Sequence, residues 1–177
     1  MLIYKNKLPN IKSYVNFIAT SKNEYCFTCK LVDYNLDGIL SMNLVTLKKK
    51  IKNFNKLVSL NKNLVGLVDN IDKNIITLNL VHIDKNSNEF KQYLESNTSN
   101  QKLSKICKRY CFKFNKNLES FWDQILDIDA DNKLGFVSNN LNTFDEEFQE
   151  FFLENNKENK NTIIETKIGL ITLDNID

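Results

Sequence analysis

The chain has few of the residues that build common catalytic sites. His82 is its only histidine, which excludes the HExxH motif and any site made of several histidines. Its four glycines are too scattered for a phosphate-binding loop, and no GxSxG motif is present. We therefore expect a protein that is not an enzyme and that needs neither a cofactor nor a metal.

Long apolar runs are also missing. No segment approaches the roughly 20 apolar residues that cross a bilayer, and MLIYKNKLPN lacks the apolar stretch and cleavage site of a signal peptide. These absences predict a cytoplasmic protein without membrane contact. The four cysteines would then be reduced thiols. Cys26 and Cys29 stand in an alternating, strand-like segment, and Cys107 and Cys111 are spaced for one helix face, so structural thiols are favoured over a metal site.

The charge that is present is locally concentrated. The net charge of this 177-residue chain is only +2, so any attraction to RNA must come from a cluster. Such a cluster lies between residues 48 and 56 and consists of Lys48, Lys49, Lys50, Lys52 and Lys56. Lysines that neutralise phosphates release counterions and bind RNA without sequence preference. The alternative is a solvated helix face.

The first half of the chain alternates like a β-protein. Five runs rich in β-branched and aromatic residues precede residue 84: Tyr14 to Thr20, Tyr25 to Asp33, Gly38 to Ser41, Leu64 to Asn70 and Ile75 to Val81. The lysine-rich segment interrupts the series after the third run, where barrels of the OB type place an insertion. The pattern predicts a small five-stranded barrel.

After residue 84 the apolar period becomes helical. Thr143 and Glu146 are spaced as a capping box for a last helix, whose stripe Phe144, Phe148, Phe151 and Phe152 is predicted to be core rather than a binding surface. We thus predict an α+β chain with domains at 1–84 (barrel) and 85–158 (helical). Residues 159–177 are predicted to be a linker and the first strand of a further α/β domain.

The segment Asp127 to Ser138 resembles a calcium-binding loop but lacks the Gly and the Glu of such a loop. An acidic turn between two helices is therefore favoured.

Motifs in the first half resemble one family. The opening has Tyr4, Lys7 and Pro9, a second element has Leu31, Asp33, Tyr34, Asn35, Asp37 and Gly38, and the basic segment continues through Asn55, Lys56 and Leu57. Their order and separation resemble the N-terminal part of the alpha subunit of eukaryotic and archaeal translation initiation factor 2. NLESFWDQ in the helical region, and KIGLITLDNID at the end, are similar to later parts of that family.

The resemblance implies a fold and a function. It implies an S1-type OB barrel followed by a helical domain, with RNA contact through Lys48, Lys49, Lys50, Lys52 and Lys56. The partners it implies are initiator tRNA and the ribosome, in a GTP-dependent ternary complex whose gamma subunit docks on the third domain. It also implies regulatory phosphorylation of a hydroxyl just before the basic run. Counting forward from Gly38 places Thr46 at that position, whereas counting back from the lysines places Leu47 there. Because only Thr46 has a hydroxyl, it is the candidate acceptor.

One departure from the family argues against recognition by the family's kinases, and so also against a decoy of those kinases, although two other functions stay open. The element that stress-activated kinases grip falls on Ile75 to Asn79, and its Gly, Tyr and Asp are replaced here. A decoy that binds those kinases and protects translation is one alternative. A stand-alone S1 RNA-binding protein is another.

Overall fold

The alternating first half forms a closed five-stranded barrel in the computed structural model, which describes residues 3–5, 7–48, 53–73 and 75–156. The strands are β1 (Tyr14–Lys22), β2 (Cys26–Leu31), β3 (Leu36–Ser41), β4 (Asn63–Asp72) and β5 (Ile75–Asn79). They pair in the order β1-β2-β3-β5-β4, and β4 closes the barrel on β1. Only the β3–β5 pair is parallel. The predicted α+β class, a five-stranded OB-type barrel followed by helices, is confirmed.

Alternate side chains of each strand fill the barrel. Phe17, Phe27, Leu31, Leu40 and Leu78 are fully buried, and their neighbours along the strands are half-buried or exposed, except for the buried polar residues Asn16 and Asn79. This is the period of two that a pleated strand imposes. Register shifts after Ala19 in β1 and after Val68 in β4 mark bulges, which increase the bending that closure of a small barrel needs.

Two strands end earlier than the sequence predicts. The predicted second run extends to Asp33, but the chain turns after β2, and Asn35 adopts a left-handed conformation with φ 55°. The predicted fifth run extends to Val81, but the buried Asn79 side chain ends β5. Its Oδ1 accepts hydrogen bonds from the amides of Val81 at 2.8 Å and His82 at 3.0 Å. Polar side chains that bond to nearby backbone thus override the apolar pattern.

The second half is helical, as predicted. Its helices are α1 (Asn88–Lys113), α2 (Leu118–Leu126) and α3 (Lys133–Asn139), and residues 146–156 are helical up to the last described residue. Asn117 caps α2 by accepting from the amides of Glu119 at 2.8 Å and Ser120 at 3.1 Å. Asn132 caps α3 through the Gly135 amide at 3.0 Å.

The predicted capping box of the last helix was wrong. Thr143 lies in a short 3-10 turn, and its hydroxyl donates to the carbonyl oxygen of Asn140 at 2.8 Å. The cap is Asp145, whose Oδ1 accepts from the Phe148 amide at 2.8 Å. The helix starts two residues later than the box implied, because a carboxylate at the N-terminus accepts the amide and also favours the helix dipole. The core prediction holds, since Phe148, Phe151 and Phe152 are buried and Phe144 is half-buried.

The chain divides into two compact units, residues 1–97 and 98–177, and the division falls within α1. The predicted domains 1–84, 85–158 and 159–177 remain a prediction. The predicted terminal strand lies outside the described residues. Within the part of the chain that the structure describes, no helix has the length and apolar character of a membrane span.

A buried polar cluster joins the first turns of α1 to the barrel within residues 1–97. Asn16 donates from its side-chain amide to Asp33 Oδ2 and to Asn97 Oδ1, each at 2.8 Å. Tyr93 donates to the same carboxylate oxygen of Asp33 at 3.5 Å. Burial raises the pKa of Asp33, and the hydrogen bonds from Asn16 oppose that rise.

Asp33 therefore predicts a pH dependence of stability. Because its folded pKa is above the unfolded value, the folded state binds the proton more tightly, and this group costs stability as the pH rises through the interval between those values. Asp33→Asn keeps an acceptor for Asn16 and removes the charge. We expect the stability of the variant relative to wild type to increase from acid to neutral pH. Urea unfolding at several pH values, followed by circular dichroism, measures it. Parallel pH profiles for the two proteins would contradict this assignment.

Candidate nucleic-acid interface

The residues that carry the family resemblance contact one another. The ring of Tyr4 stacks on that of Tyr34 at 4.7 Å with an angle of 19° between the ring planes, and the Lys7 ammonium lies 5.5 Å from the centre of the Tyr4 ring. The amides of Ile3 and Tyr4 both donate to the Asp33 carbonyl oxygen at 2.9 Å. Two motifs separated in sequence are thus one packed cluster of the barrel unit.

The basic segment lies in the connection between β3 and β4. The connection contains 3-10 turns at Met42–Leu44 and Phe54–Lys56, and Asn53 caps the second by accepting from the Asn55 amide at 2.9 Å. Lys48 and Lys56 are exposed. The other predicted RNA-binding residues, Lys49, Lys50 and Lys52, lie outside the described residues.

Lys22, at the end of β1, was missed by the sequence reasoning. Its ammonium lies 5.8 Å from the centre of the Phe27 ring, 5.7 Å from that of Phe54, and 3.4 Å from Asn55 Oδ1. These contacts hold a cation beside the turn that carries Lys56. Lys22 is far from the lysine run in sequence, and only the barrel closure brings it to the connection, so no local pattern could have found it.

Tyr25 is an aromatic residue whose exposed ring is available for stacking beside the basic connection. Of the four aromatic residues on the first two predicted strands, Phe17 and Phe27 are core, and Tyr14 packs edge-on against Phe90 at 5.1 Å. Tyr25, in the β1–β2 turn, is 78% exposed. Its carbonyl oxygen accepts from the Met42 amide at 3.0 Å, which ties this turn to the start of the basic connection.

We call Lys22, Tyr25, Lys48 and Lys56 the basic end of the barrel. They lie at the end of β1, in the β1–β2 turn and in the β3–β4 connection, and the contacts of Lys22 and the Met42 amide join these segments. Exposed ammonium groups and an exposed ring on two connected segments are the elements of a surface that holds phosphates and stacks a base.

Thr46 precedes this cluster and is half-buried. Its hydroxyl oxygen accepts from the Lys48 amide at 3.3 Å, which forms a small turn at the entrance to the basic run. The residues aligned with the kinase-binding element form β5. Of these, Ile76, Leu78 and Asn79 are buried, and Ile75 is 50% exposed.

The cysteines are buried or half-buried thiols. Burial raises the pKa of the Cys29 thiol to about 12 and also raises the pKa of Cys107. Such thiols carry little thiolate at neutral pH and pack as small apolar groups. Across residues 3–5, 7–48, 53–73 and 75–156, no group of three His, Cys, Asp or Glu residues is arranged to hold a metal ion.

The loop that imitates a calcium site is organised by a lysine. Lys133 is 1% exposed, and its ammonium donates to the carbonyl oxygens of Leu126, at 3.4 Å, and Ile128. Asn100 of α1 clamps the same loop: its side-chain amide donates to the Asp131 carbonyl at 2.6 Å, and its Oδ1 accepts from the Lys133 amide at 2.8 Å. The turn between α2 and α3 thus contains its own cation.

Comparison with known proteins gives similar structures only. No family model matches the chain, and no curated protein matches its sequence. The intact alpha subunit of archaeal initiation factor aIF2 from Pyrococcus abyssi is similar over 84% of this chain and 61% of that chain, with 16% identity and a TM-score of 0.70. A chain from the a/eIF2alpha–aDim2p–rRNA complex of Pyrococcus horikoshii OT3 matches 66% of this chain and 70% of its own, with 18% identity and a TM-score of 0.56. The fold is that of an S1-type barrel followed by a helical part, as in the archaeal alpha subunit.

Proposed function

We propose that this chain is an RNA-binding protein of translation initiation, similar in role to the alpha subunit of initiation factor 2, and that the basic end of its barrel contacts the RNA. The observation that carries the proposal is the likeness to the archaeal subunit, which extends over the barrel and the helices together. The ordered motifs from Tyr4 to Leu57 support the same family. The Pyrococcus horikoshii complex, which contains rRNA, supports RNA as the ligand.

The finer role follows from the family. The chain would help to hold initiator tRNA in the GTP-dependent ternary complex at the ribosome, in the cytoplasm, without catalysis or a cofactor. The gamma subunit would bind a third domain that begins in residues 159–177. The chain spans 61% of the length of the intact Pyrococcus abyssi subunit, so the activities of the whole subunit are part of this proposal.

Regulation would act through Thr46. A phosphoryl group there would add about 1.5 to 2 negative charges next to Lys48 and the following lysines. Those lysines would then pair with the phosphate instead of with RNA. Incubation with a stress-activated kinase, followed by mass spectrometry, tests this role, and Thr46→Ala is the control. Phosphate at any other residue, or none, would contradict it.

The two alternatives predict different binding. A kinase decoy would bind the kinase in a pull-down experiment and resist phosphorylation, whereas a stand-alone S1 protein would bind RNA and neither the kinase nor the gamma subunit. An initiation factor subunit would bind RNA and the gamma subunit together. Measurement of all three interactions with one preparation therefore separates the three functions.

Neutralising the basic segment tests RNA contact directly. We expect Lys48→Gln, Lys49→Gln, Lys50→Gln and Lys52→Gln together to weaken binding of initiator tRNA and to reduce the slope of log K against log salt concentration by about three. Fluorescence anisotropy across a salt series measures both quantities.

The control must change the same number of charges elsewhere. Lys12, Lys73, Lys85 and Lys91 are exposed lysines of the same barrel unit, and their joint replacement by glutamine gives the same net charge. Equal losses in the two variants would mean that only the total charge matters. In that case the basic segment is not the site.

A further inference from the structure

The most exposed large apolar side chain among the described residues is Phe112, on α1. It is 90% exposed, so its ring gains almost nothing from folding. The helix is held in this orientation, because Leu103, Ile106, Cys107 and Tyr110 on the opposite face are buried in the core of residues 98–156. Phe112 therefore cannot turn inward without removing that core.

The neighbours of Phe112 on the helix surface are cations. Arg109 and Lys108 precede it by three and four residues, and Lys105 by seven, so all three share its face. All three are exposed. No carboxylate in the described ranges forms an ion pair with any of them. Arg109 is also the only arginine of the chain.

The charge on this stretch of chain has one sign. Between Glu95 and Glu119 the sequence contains no acidic residue and six cations, which are Lys102, Lys105, Lys108, Arg109, Lys113 and Lys116. Lys113 and Lys116 are held over aromatic rings, Lys113 by Phe114 and Phe151, and Lys116 by Tyr110. Lys116 also forms ion pairs with Asp145 and Glu147, and Lys102 donates to Asn156 Oδ1. Among the described residues, the cations of this stretch for which no such contact is found are Lys105, Lys108 and Arg109, around the exposed ring.

We propose that this face of α1 is a second RNA-binding surface, at which Lys105, Lys108 and Arg109 contact phosphates and Phe112 stacks on an unpaired base. A row of cations complements the phosphate backbone, and an exposed ring complements the face of a base. Lys105 and Phe112 are separated by about 10 Å along the helix axis, so the surface is suited to a short single-stranded segment. A lipid surface is less well matched, since one ring provides little apolar area for insertion.

The surface belongs to residues 98–156 and does not depend on the basic end of the barrel. The two proposals can therefore fail separately. A barrel without RNA affinity would leave the α1 surface as the RNA site of the chain. An α1 surface without RNA affinity would leave the barrel proposal unaffected.

The test uses the full chain and a fluorescent 12-nucleotide oligoadenylate. We expect Phe112→Ala to weaken binding about tenfold, since stacking of one base contributes that much. Phe112→Tyr should bind about as tightly as wild type. Phe112→Leu should bind as weakly as Phe112→Ala, because leucine is apolar but has no ring to stack. Lys105→Gln, Lys108→Gln and Arg109→Gln together should reduce the salt slope by about two. These side chains are exposed, so thermal melting should be unchanged.

Two results would overturn the proposal. The first is an affinity for oligoadenylate that is unchanged by Phe112→Ala and by the triple glutamine variant. The second is binding by Phe112→Leu equal to wild type, which would mean an apolar contact without stacking. Vesicles containing phosphatidylserine are the comparison probe: loss of vesicle binding by Phe112→Ala with intact RNA binding would assign the face to a membrane instead.

Discussion

Replacing Lys133 with methionine should destabilise residues 98–156 by about 3 kcal/mol, because one buried and one partly buried carbonyl group lose a charged donor. The ammonium is buried and bonds to the carbonyl oxygens of Leu126 and Ile128, at the end of α2 and just after it. Methionine has a similar length but no donor, so it fills the space and leaves those oxygens without this partner. The effect should exceed that of an ordinary surface substitution severalfold.

Trp122 makes this measurement specific. It is the only tryptophan of the chain and is 5% exposed in α2, so its fluorescence during urea unfolding reports on residues 98–156. Lys108→Met, on an exposed position of α1, is the matched control and should change the free energy of unfolding by less than about 0.5 kcal/mol. If the two variants unfold at the same urea concentration, Lys133 does not organise the loop.

The buried lysine also shows what the sequence could not predict. The acidic turn between α2 and α3 was predicted from Asp127, Asp129 and Asp131, and the turn is present. That a lysine would be its buried cation could not be read from the same residues, because lysines are rarely buried. Asn100, which also holds the loop in place by hydrogen bonds, lies in α1, with all of α2 between it and the loop in sequence. Only tertiary packing brings it to Lys133.

The same limit applies to the candidate site. Strand alternation predicted the five strands of the barrel, since a residue's face follows from its place in the strand. It did not indicate where strands stop, because Asn79 ends β5 through side-chain bonds to backbone. Strand alternation also could not indicate which aromatic residues are buried and which are exposed. Phe27 and Tyr25 are two residues apart, yet one is core and the other lies in the turn before β2. The cluster of lysines was visible, but the position of Lys22 depends on barrel closure.

Replacing Gly38 with alanine should destabilise the barrel by about 3 kcal/mol, the upper part of the range for overpacking a core. A Cβ at this position would lie 2.7 Å from Leu31 Cδ1 and 3.0 Å from the backbone oxygen of Ile76. The Leu31 side chain can move, but the Ile76 oxygen belongs to β5. Gly38 is paired with Ile76, and only one further pair, Ile39 with Thr77, joins β3 to β5. Relief of the clash therefore requires separating the strands where the barrel has its shortest pairing.

Gly66→Ala is the matched control. Its Cβ would lie 3.0 Å from Cε1 of the Phe17 ring, a side-chain atom instead of backbone, and alanine also recovers part of the entropy that glycine loses in a strand. We expect a loss of about 1 kcal/mol there. Hydrogen exchange of barrel peptides, measured by mass spectrometry, should show faster opening of β3 and β5 in Gly38→Ala than in Gly66→Ala. Equal opening in both would mean that backbone contact at Gly38 does not limit the barrel. Faster opening in Gly38→Ala would explain why a glycine stands at this position in the second motif of the family resemblance. Any side chain there would push β3 and β5 apart.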